Sequence, residues 1–262
     1  MGRIDAAFRR SRDDGRSALL IYIMAGDPTL PKSETLALAC ERGGADLLEL
    51  GIPFSNPIRD GSEIQAATVR SLRAGTRPRD VLALATCLRR RTEIPIILTT
   101  YMSPVRGMGL AAFASQCSKA DVDGVIVPDL SLEESDEMRS NLDGHGVEYI
   151  QLVAPSTPGH RARSIGRASR GFLYVVARSG TTGAHADIPL DLETRLRLLR
   201  RCTSLPLAVG FGISTRDHVH AVARMGADGV AVGSATVRTI REDSRPEAVE
   251  AFVRDLYAGV KR

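Results

Sequence analysis

The sequence predicts a (β/α)8 barrel, and three observations carry that prediction. The first is length, since 262 residues suit one eight-unit α/β barrel as well as they suit two small domains. The second is a set of eight short, branched apolar runs at near-regular intervals. Most are continuously hydrophobic rather than alternating, as parallel strands covered on both faces must be. The third is the helical spacing between the runs, seen in KSETLALACERGG after the first and STRDHVHAVARMGA after the seventh. No Pro/Gly/Ser-rich linker or change of composition divides the chain, so one barrel domain is expected over 1–262. A doubly wound open sheet is the alternative arrangement of the same elements.

Taken in order, the segment MGRIDAAFRR reads as a short amphipathic helix ahead of the first strand. It lacks the apolar core of a secretory signal, and Ala6 stands where a myristoylation motif needs Ser or Thr. Strands are expected in ALLIYIMAG (18–26), ADLLELGI (45–52), IPIILTTY (94–101) and GVIVPD (124–129). They continue in EYIQLVAP (148–155), FLYVVA (172–177), LPLAVGFG (205–212) and GVAVGSA (229–235). Gly43-Gly44, Gly124 and Gly226 sit where helix C-caps fall. Residues 60–91 hold two helical stretches, IQAATVRSLRAG and RDVLALATCLRR, so the second βα connection is predicted to be decorated.

Composition narrows the class. Hydrophobic residues make up 43% of the chain and charged residues 25%, proportions typical of a soluble globular protein. No apolar run approaches the roughly 20 residues of a membrane span. The formal charge of +4 does not point to nucleic acid. The basic runs at 9–10, 89–91 and 200–201 fall on separate helices, without interleaved aromatics, and read as solvated faces. Cys40, Cys87, Cys117 and Cys202 are scattered and form no CxxC pair, which suits free thiols in a reducing cytoplasm better than a disulfide or zinc framework.

A barrel of this class carries its site at the carboxyl ends of the strands. The polar residues expected there are Asp27, Glu49, Asp60, Tyr101, Asp129, Tyr174 and Arg178. The last two strands end in VGFGIS (209–214) and VGSA (232–235), which leave backbone amides bare. A phosphate can meet such amides and a helix N-terminus without a lysine, although the same glycines would also serve tight turns. Period-two geometry puts Glu49 on one face with Leu47 and Gly51, against Leu48 and Leu50 on the other. A buried, unpaired glutamate there should hold a proton near neutrality, as a general acid/base must. Asp60 taken alone reads as an N-cap for a helix starting near Ser62.

Absences narrow the reaction. Only Lys32, Lys119 and Lys261 are lysines, and none lies at the carboxyl end of a strand, which disfavours Schiff-base chemistry. His218 and His220 are two residues apart and lie on different helix faces, so no i,i+4 metal pair forms. No dinucleotide fingerprint follows the first strand. The residues describe a barrel without cofactor or metal, acting on a small phosphorylated molecule through two carboxylates and a tyrosine.

LELGIPFSNPIRDG (48–61), with IYIMAGDP (21–28), VIVPDL (125–130), ARSGTTG (177–183), GFGIS (210–214) and GSA (233–235), closely resembles the tryptophan synthase α subunit family along nearly the whole chain. The resemblance implies cofactor-free retro-aldol cleavage of indole-3-glycerol phosphate to indole and glyceraldehyde 3-phosphate. Glu49 would protonate indole C3, Asp60 would stabilise charge at the indole N–H, and Tyr174 would be the active-site tyrosine. This displaces the cap reading of Asp60. Gly183, Gly212, Gly233 and Ser234 would bind phosphate; Tyr22, Tyr101 and Asp129 would line the indole pocket; Arg178 and Thr182 would belong to a mobile loop. A pyridoxal phosphate β subunit in an α2β2 assembly would be the partner. The alternatives are a stand-alone indole-releasing lyase and a non-catalytic activating subunit. The chain departs from the family's usual pattern at Asn56, Arg59, Ser62, Ser103 and Ser131-Leu132. Asn56 and the loop after the third strand fall where the family docks its β subunit, so weaker coupling is one expectation and neutral drift the other.

Overall fold

Residues 2–178 and 188–261 are described in the computed structural model. The strands are β1 (Ala18–Met24), β2 (Leu47–Gly51), β3 (Ile96–Thr99), β4 (Gly124–Ile126), β5 (Glu148–Ile150), β6 (Leu152–Val153), β7 (Leu173–Val176), β8 (Leu207–Gly210) and β9 (Gly229–Val232). The helices are α1 (Arg3–Asp13), α2 (Leu30–Gly43), α3 (Ser62–Arg73), α4 (Pro78–Arg89), α5 (Met102–Met108) and α6 (Leu110–Lys119). They continue as α7 (Asp136–Asp143), α8 (Gly159–Ala168), α9 (Leu192–Arg200), α10 (Arg216–Arg224), α11 (Ser234–Glu242) and α12 (Pro246–Tyr257). Every strand pairing within the sheet is parallel, in the order β5-β4-β3-β2-β1-β9-β8-β7-β6. The two ends of that order, β5 and β6, follow one another in the chain across Gln151, so the fifth expected strand is the seam at which the barrel meets itself.

Alternation along the strands separates two cores. Leu19, Ile21, Leu48, Leu50, Ile96 and Leu98 face the helix layer. Leu20, Leu47, Ile97, Ile126, Ile150, Ala208 and Ala231 fill the barrel interior together with Ile4 and Phe8 of α1. The amphipathic N-terminal helix therefore plugs the floor. Gly124 and Gly229 make room for it. A Cβ at Gly124 would stand 2.7 Å from Ile150 and 3.2 Å from Ile4, and one at Gly229 would stand 3.0 Å from Phe8. Gly124 thus opens β4 rather than capping a helix, because its place is dictated by packing at the floor. Gly44 is a left-handed C-cap of α2 as expected, at φ 110°.

The floor is tied by one device used three times. Asp46, just before β2, accepts the Leu19 N–H at 2.9 Å and a bidentate contact from Arg16 at 2.6 and 2.9 Å. Asp123, just before β4, accepts Ile96 N–H at 2.8 Å and Arg89 at 2.6 Å. Asp228, just before β9, accepts Leu207 N–H at 2.8 Å and also pairs with Arg200. Each carboxylate bonds the N–H of a neighbouring strand and thereby supports the register of the pair. At the mouth, the decorated second connection holds α3 and α4. Asp27, a candidate site residue on sequence grounds, is committed to Arg70 of α3 by two contacts of 2.7 Å, which anchors that connection to the end of β1.

Glu148 has a buried Oε2 without a hydrogen-bond partner among the described residues. Burial, and then Asp5 and Asp123, push its pKa up to about 7. A folded-state pKa above the unfolded one means that the native state keeps a proton the unfolded chain has lost, so stability falls as pH rises from the ordinary carboxylate range through about 7. Glu148→Gln is expected to remove that slope and to stabilise the protein by about 1–2 kcal/mol at pH 8. Urea unfolding at pH 5 and pH 8 measures it, and an unchanged slope would refute it.

Candidate active site

Glu49 is buried on the inward face of β2, opposite Tyr22 of β1 and Ile97 of β3 in the strand register. Its Oε1 accepts a hydrogen bond of 2.5 Å from the Thr99 hydroxyl. Burial pushes its pKa up to about 7; the Thr99 bond opposes the rise and the charge of Asp60 adds to it. No lysine or arginine is among the causes, so the acid is poised by desolvation rather than by an ion pair.

Asp60 lies half-buried on the loop after β2. It does not cap α3: the N-cap is Gly61, and no side-chain cap bond is made there. The loop is held from below by Tyr101. The Tyr101 hydroxyl accepts the Arg59 N–H at 3.0 Å and hydrogen-bonds the Asp60 carboxylate, and its ring packs on Phe54 with centroids 5.6 Å apart. Burial raises the Asp60 pKa to about 6, with the Tyr101 bond acting against the rise. Asp129 accepts the Met102 N–H through both carboxylate oxygens, at 2.9 and 3.2 Å, and so caps α5 behind Tyr101.

Two tyrosines complete the inner wall, and each needs a glycine on the next strand. A Cβ at Gly51 would lie 2.0 Å from the Tyr22 hydroxyl oxygen, and one at Gly210 would lie 2.1 Å from that of Tyr174. Tyr22 therefore leans from β1 across β2, and Tyr174 from β7 across β8. Desolvation holds both phenols well above their ordinary pKa, so they are neutral hydroxyls at physiological pH. Phe211 meets the Tyr174 ring edge-on at 6.0 Å and adopts φ 74°, a left-handed conformation rare for an aromatic residue. Gly212 follows at φ 87°. Next to this turn, Gly233 is the N-cap of α11 and Ser234 its first residue, so the first-turn amides point toward the mouth without intrahelical acceptors.

These groups surround one cavity of about 620 Å³, lined among others by Tyr22, Glu49, Asp60, Tyr174, Gly212, Gly233 and Ser234. Seven of the sequence-derived candidates are thus brought together. Tyr101 and Asp129 do not line it; they stand behind the Asp60 loop. Arg178 lines an adjoining cavity of about 1120 Å³ that shares Arg59, Pro128, Leu152 and Phe211 with the first. Thr182 and Gly183 lie outside the described residues. The lining also includes Thr99, Ile126, Leu152, Phe211 and Ala231, which the sequence reading passed over. The signal for Thr99, Ile126 and Ala231 was available, since each occupies an inward position near the end of its strand. Phe211 gave none, because its direction is set by an unusual φ.

An eight-unit barrel whose mouth joins two carboxylates of raised pKa to a pair of glycine-rich turns defines an enzyme of acid–base type acting on an anionic small molecule. The particular family follows from comparison with known proteins. The chain belongs to the tryptophan synthase alpha chain family, whose model matches residues 8–261. A tryptophan synthase alpha chain of Prochlorococcus marinus is 41% identical over 257 residues, covering 97% of this chain and 96% of the relative. Among solved structures, tryptophan synthase of Mycobacterium tuberculosis superposes with a TM-score of 0.92 at 33% identity, covering 100% of this chain and 99% of that one. A tryptophan synthase complex from Pyrococcus furiosus gives 0.85 at 33% identity, covering 93% and 98%.

The glycine at 210 is a packing requirement for the tyrosine beside it. Gly210→Ala is expected to displace Tyr174 and to cost about 1–3 kcal/mol in urea unfolding. A neutral result would show that the ring is free to move.

Proposed function

We propose that this chain cleaves indole-3-glycerol phosphate to indole and glyceraldehyde 3-phosphate by a cofactor-free retro-aldol reaction. The observation that carries the reading is the placing of Glu49 and Asp60 on one cavity whose lining also includes Gly212, Gly233 and Ser234. The phosphate binds at these last three residues, where the α11 N-terminus favours an anion. The family resemblance adds Gly183 to the phosphate site. The indole then lies between Tyr22, Tyr174 and the apolar side chains of the cavity, with its N–H toward Asp60.

Cleavage needs a proton delivered to indole C3, stabilisation of the positive charge this creates on the ring, and removal of the proton from the glycerol hydroxyl. Glu49, with a pKa of about 7, supplies the first and third steps in turn. Its carboxyl protonates C3, and the carboxylate so formed takes the hydroxyl proton. As the carbon–carbon bond breaks, its electron pair returns to the ring, the aldehyde carbonyl forms, and Glu49 is again protonated. Asp60, mostly ionised above its pKa of about 6, accepts a hydrogen bond from the N–H as charge develops there. Arg178 and Thr182 would act in the loop that closes over the substrate and excludes water.

The relative solved as a tryptophan synthase complex from Pyrococcus furiosus supports a β-subunit partner for this chain, and the family resemblance implies an α2β2 arrangement. The exposed Ile58 on the loop after β2 gives that partner an apolar contact next to Asn56. Among the described residues, no helix is long and apolar enough to cross a membrane.

The experiment is indole release from indole-3-glycerol phosphate by the purified chain, alone and with a tryptophan synthase β subunit. Release that rises on adding β is expected; no release in either condition would remove the reading. Glu49→Gln is expected to lower turnover by about 10²–10⁴-fold without unfolding the barrel. The pH profile should be bell-shaped, because the reaction starts with Asp60 ionised and Glu49 protonated. The acid limb falls near 6 and the alkaline limb near 7, as macroscopic values of a coupled pair. Asp60→Asn removes a negative charge that raises Glu49, so it should lower turnover and move the alkaline limb to lower pH.

A further inference from the structure

We propose that Thr99 is a positioning residue for Glu49: its hydroxyl holds one carboxylate oxygen against the β3 wall and leaves the other to face the reacting atoms. The inference deepens the lyase reading above, and its kinetic arm rests on that reading.

The geometry is specific. Thr99 is the last residue of β3 and pairs in register with Gly51, two residues beyond Glu49 on β2. Glu49 reaches along β2 toward the mouth to meet the Thr99 hydroxyl at 2.5 Å, while the space left by the absent Gly51 side chain is taken by the Tyr22 ring. A glutamate has three rotatable side-chain bonds, so its carboxyl keeps one direction only when a partner holds it. Threonine is branched at Cβ and stiff about χ1, so a hydroxyl mounted on a strand is a fixed donor. Fixing Oε1 in this way turns a mobile carboxyl into one already aimed, which is the kind of orientation that separates a near-attack geometry from a merely nearby group.

The bond also has an electrostatic consequence. The titratable groups facing Glu49 are Asp60 from the loop after β2, Tyr22 from β1 and Tyr174 from β7. Of these, Asp60 disfavours the carboxylate, as burial does, while the Thr99 donor favours it. Thr99 is therefore the counterweight that keeps Glu49 close to neutrality rather than higher. For an acid that must give up a proton and then recover one, a pKa near the working pH serves both directions.

The test compares wild type with Thr99→Val, which keeps the shape and removes the donor, and Thr99→Ser, which keeps the donor. Two readouts are taken on each: titration of the Glu49 side chain by NMR of 13C-labelled glutamate, and the pH dependence of kcat and KM for indole release. Thr99→Val is expected to raise the Glu49 midpoint by about one pH unit and to lower kcat about tenfold, with KM changed by less than about twofold. Thr99→Ser should restore both the midpoint and kcat. An unmoved midpoint and profile in Thr99→Val would overturn the proposal. So would equal impairment of the Val and Ser variants, which would assign Thr99 a packing role. If Thr99→Val does not fold, Thr99→Ala, which opens space rather than filling it, carries the same expected shift. Wild type that releases no indole would remove the lyase reading instead, and the NMR titration would still decide whether Thr99 governs Glu49.

Discussion

Keeping one carboxylate inside a cylinder of apolar side chains is the constraint on which the rest of this site depends. Water would hold Glu49 in the ordinary carboxylate range; burial between β1 and β3 lifts it to about 7. That position is available only because the barrel interior does not close over it. Ile97, Ile126 and Ala231 line the interior beside it, while the mouth is partly emptied by Gly51 and Gly210, the last residues of β2 and β8, and by Gly233 directly after β9. The space so released is taken by the Tyr22 and Tyr174 rings and by the cavity itself.

The barrel divides its polar chemistry by end. At the floor, Asp46, Asp123 and Asp228 each accept a strand N–H and pair with arginine, so their charges are satisfied within the fold. At the mouth, among the described residues, Glu49 and Asp60 are met by the hydroxyls of Thr99 and Tyr101 and pair with no arginine or lysine. An arginine partner would hold either carboxylate ionised throughout the physiological range, whereas a hydroxyl supports the charge without fixing it. The same residue type thus serves register at one end and proton transfer at the other.

Most departures from the family's usual pattern fall on the outside of this arrangement, Arg59 being the exception. Asn56, Ser62 and Ser103 are exposed, and Ser131 donates from its hydroxyl to Glu134 at 2.8 Å on the loop after β4. None of the four lines the cavity of Glu49 and Asp60. The chemistry is insulated from those four, whereas Arg59, which also departs from the family's pattern, lines the cavity itself.

The sequence by itself determined the strand runs, the barrel class and which residues share a face with Glu49, because strand period and apolar continuity are local properties; that this face points inward is a property of the closed barrel. The sequence also marked the glycine-rich ends of the last two strands. Tertiary structure decided the rest. Asp27 and Asp60 are both acids on loops at the mouth, and local chemistry suggested a cap for Asp60. Only the fold places Arg70 of α3 against Asp27 and the Tyr101 hydroxyl beneath Asp60. Gly124 likewise read as a helix cap and proved to be the space into which the Ile4 side chain of α1 packs. Tyr101 and Asp129 read as pocket lining but stand behind the loop. Thr99 is an unremarkable residue in an apolar strand until β2 and β3 are set in register with Gly51 opposite it. Roles of this kind depend on which atoms meet across strands far apart in the chain, and one chain's local pattern carries no record of those meetings.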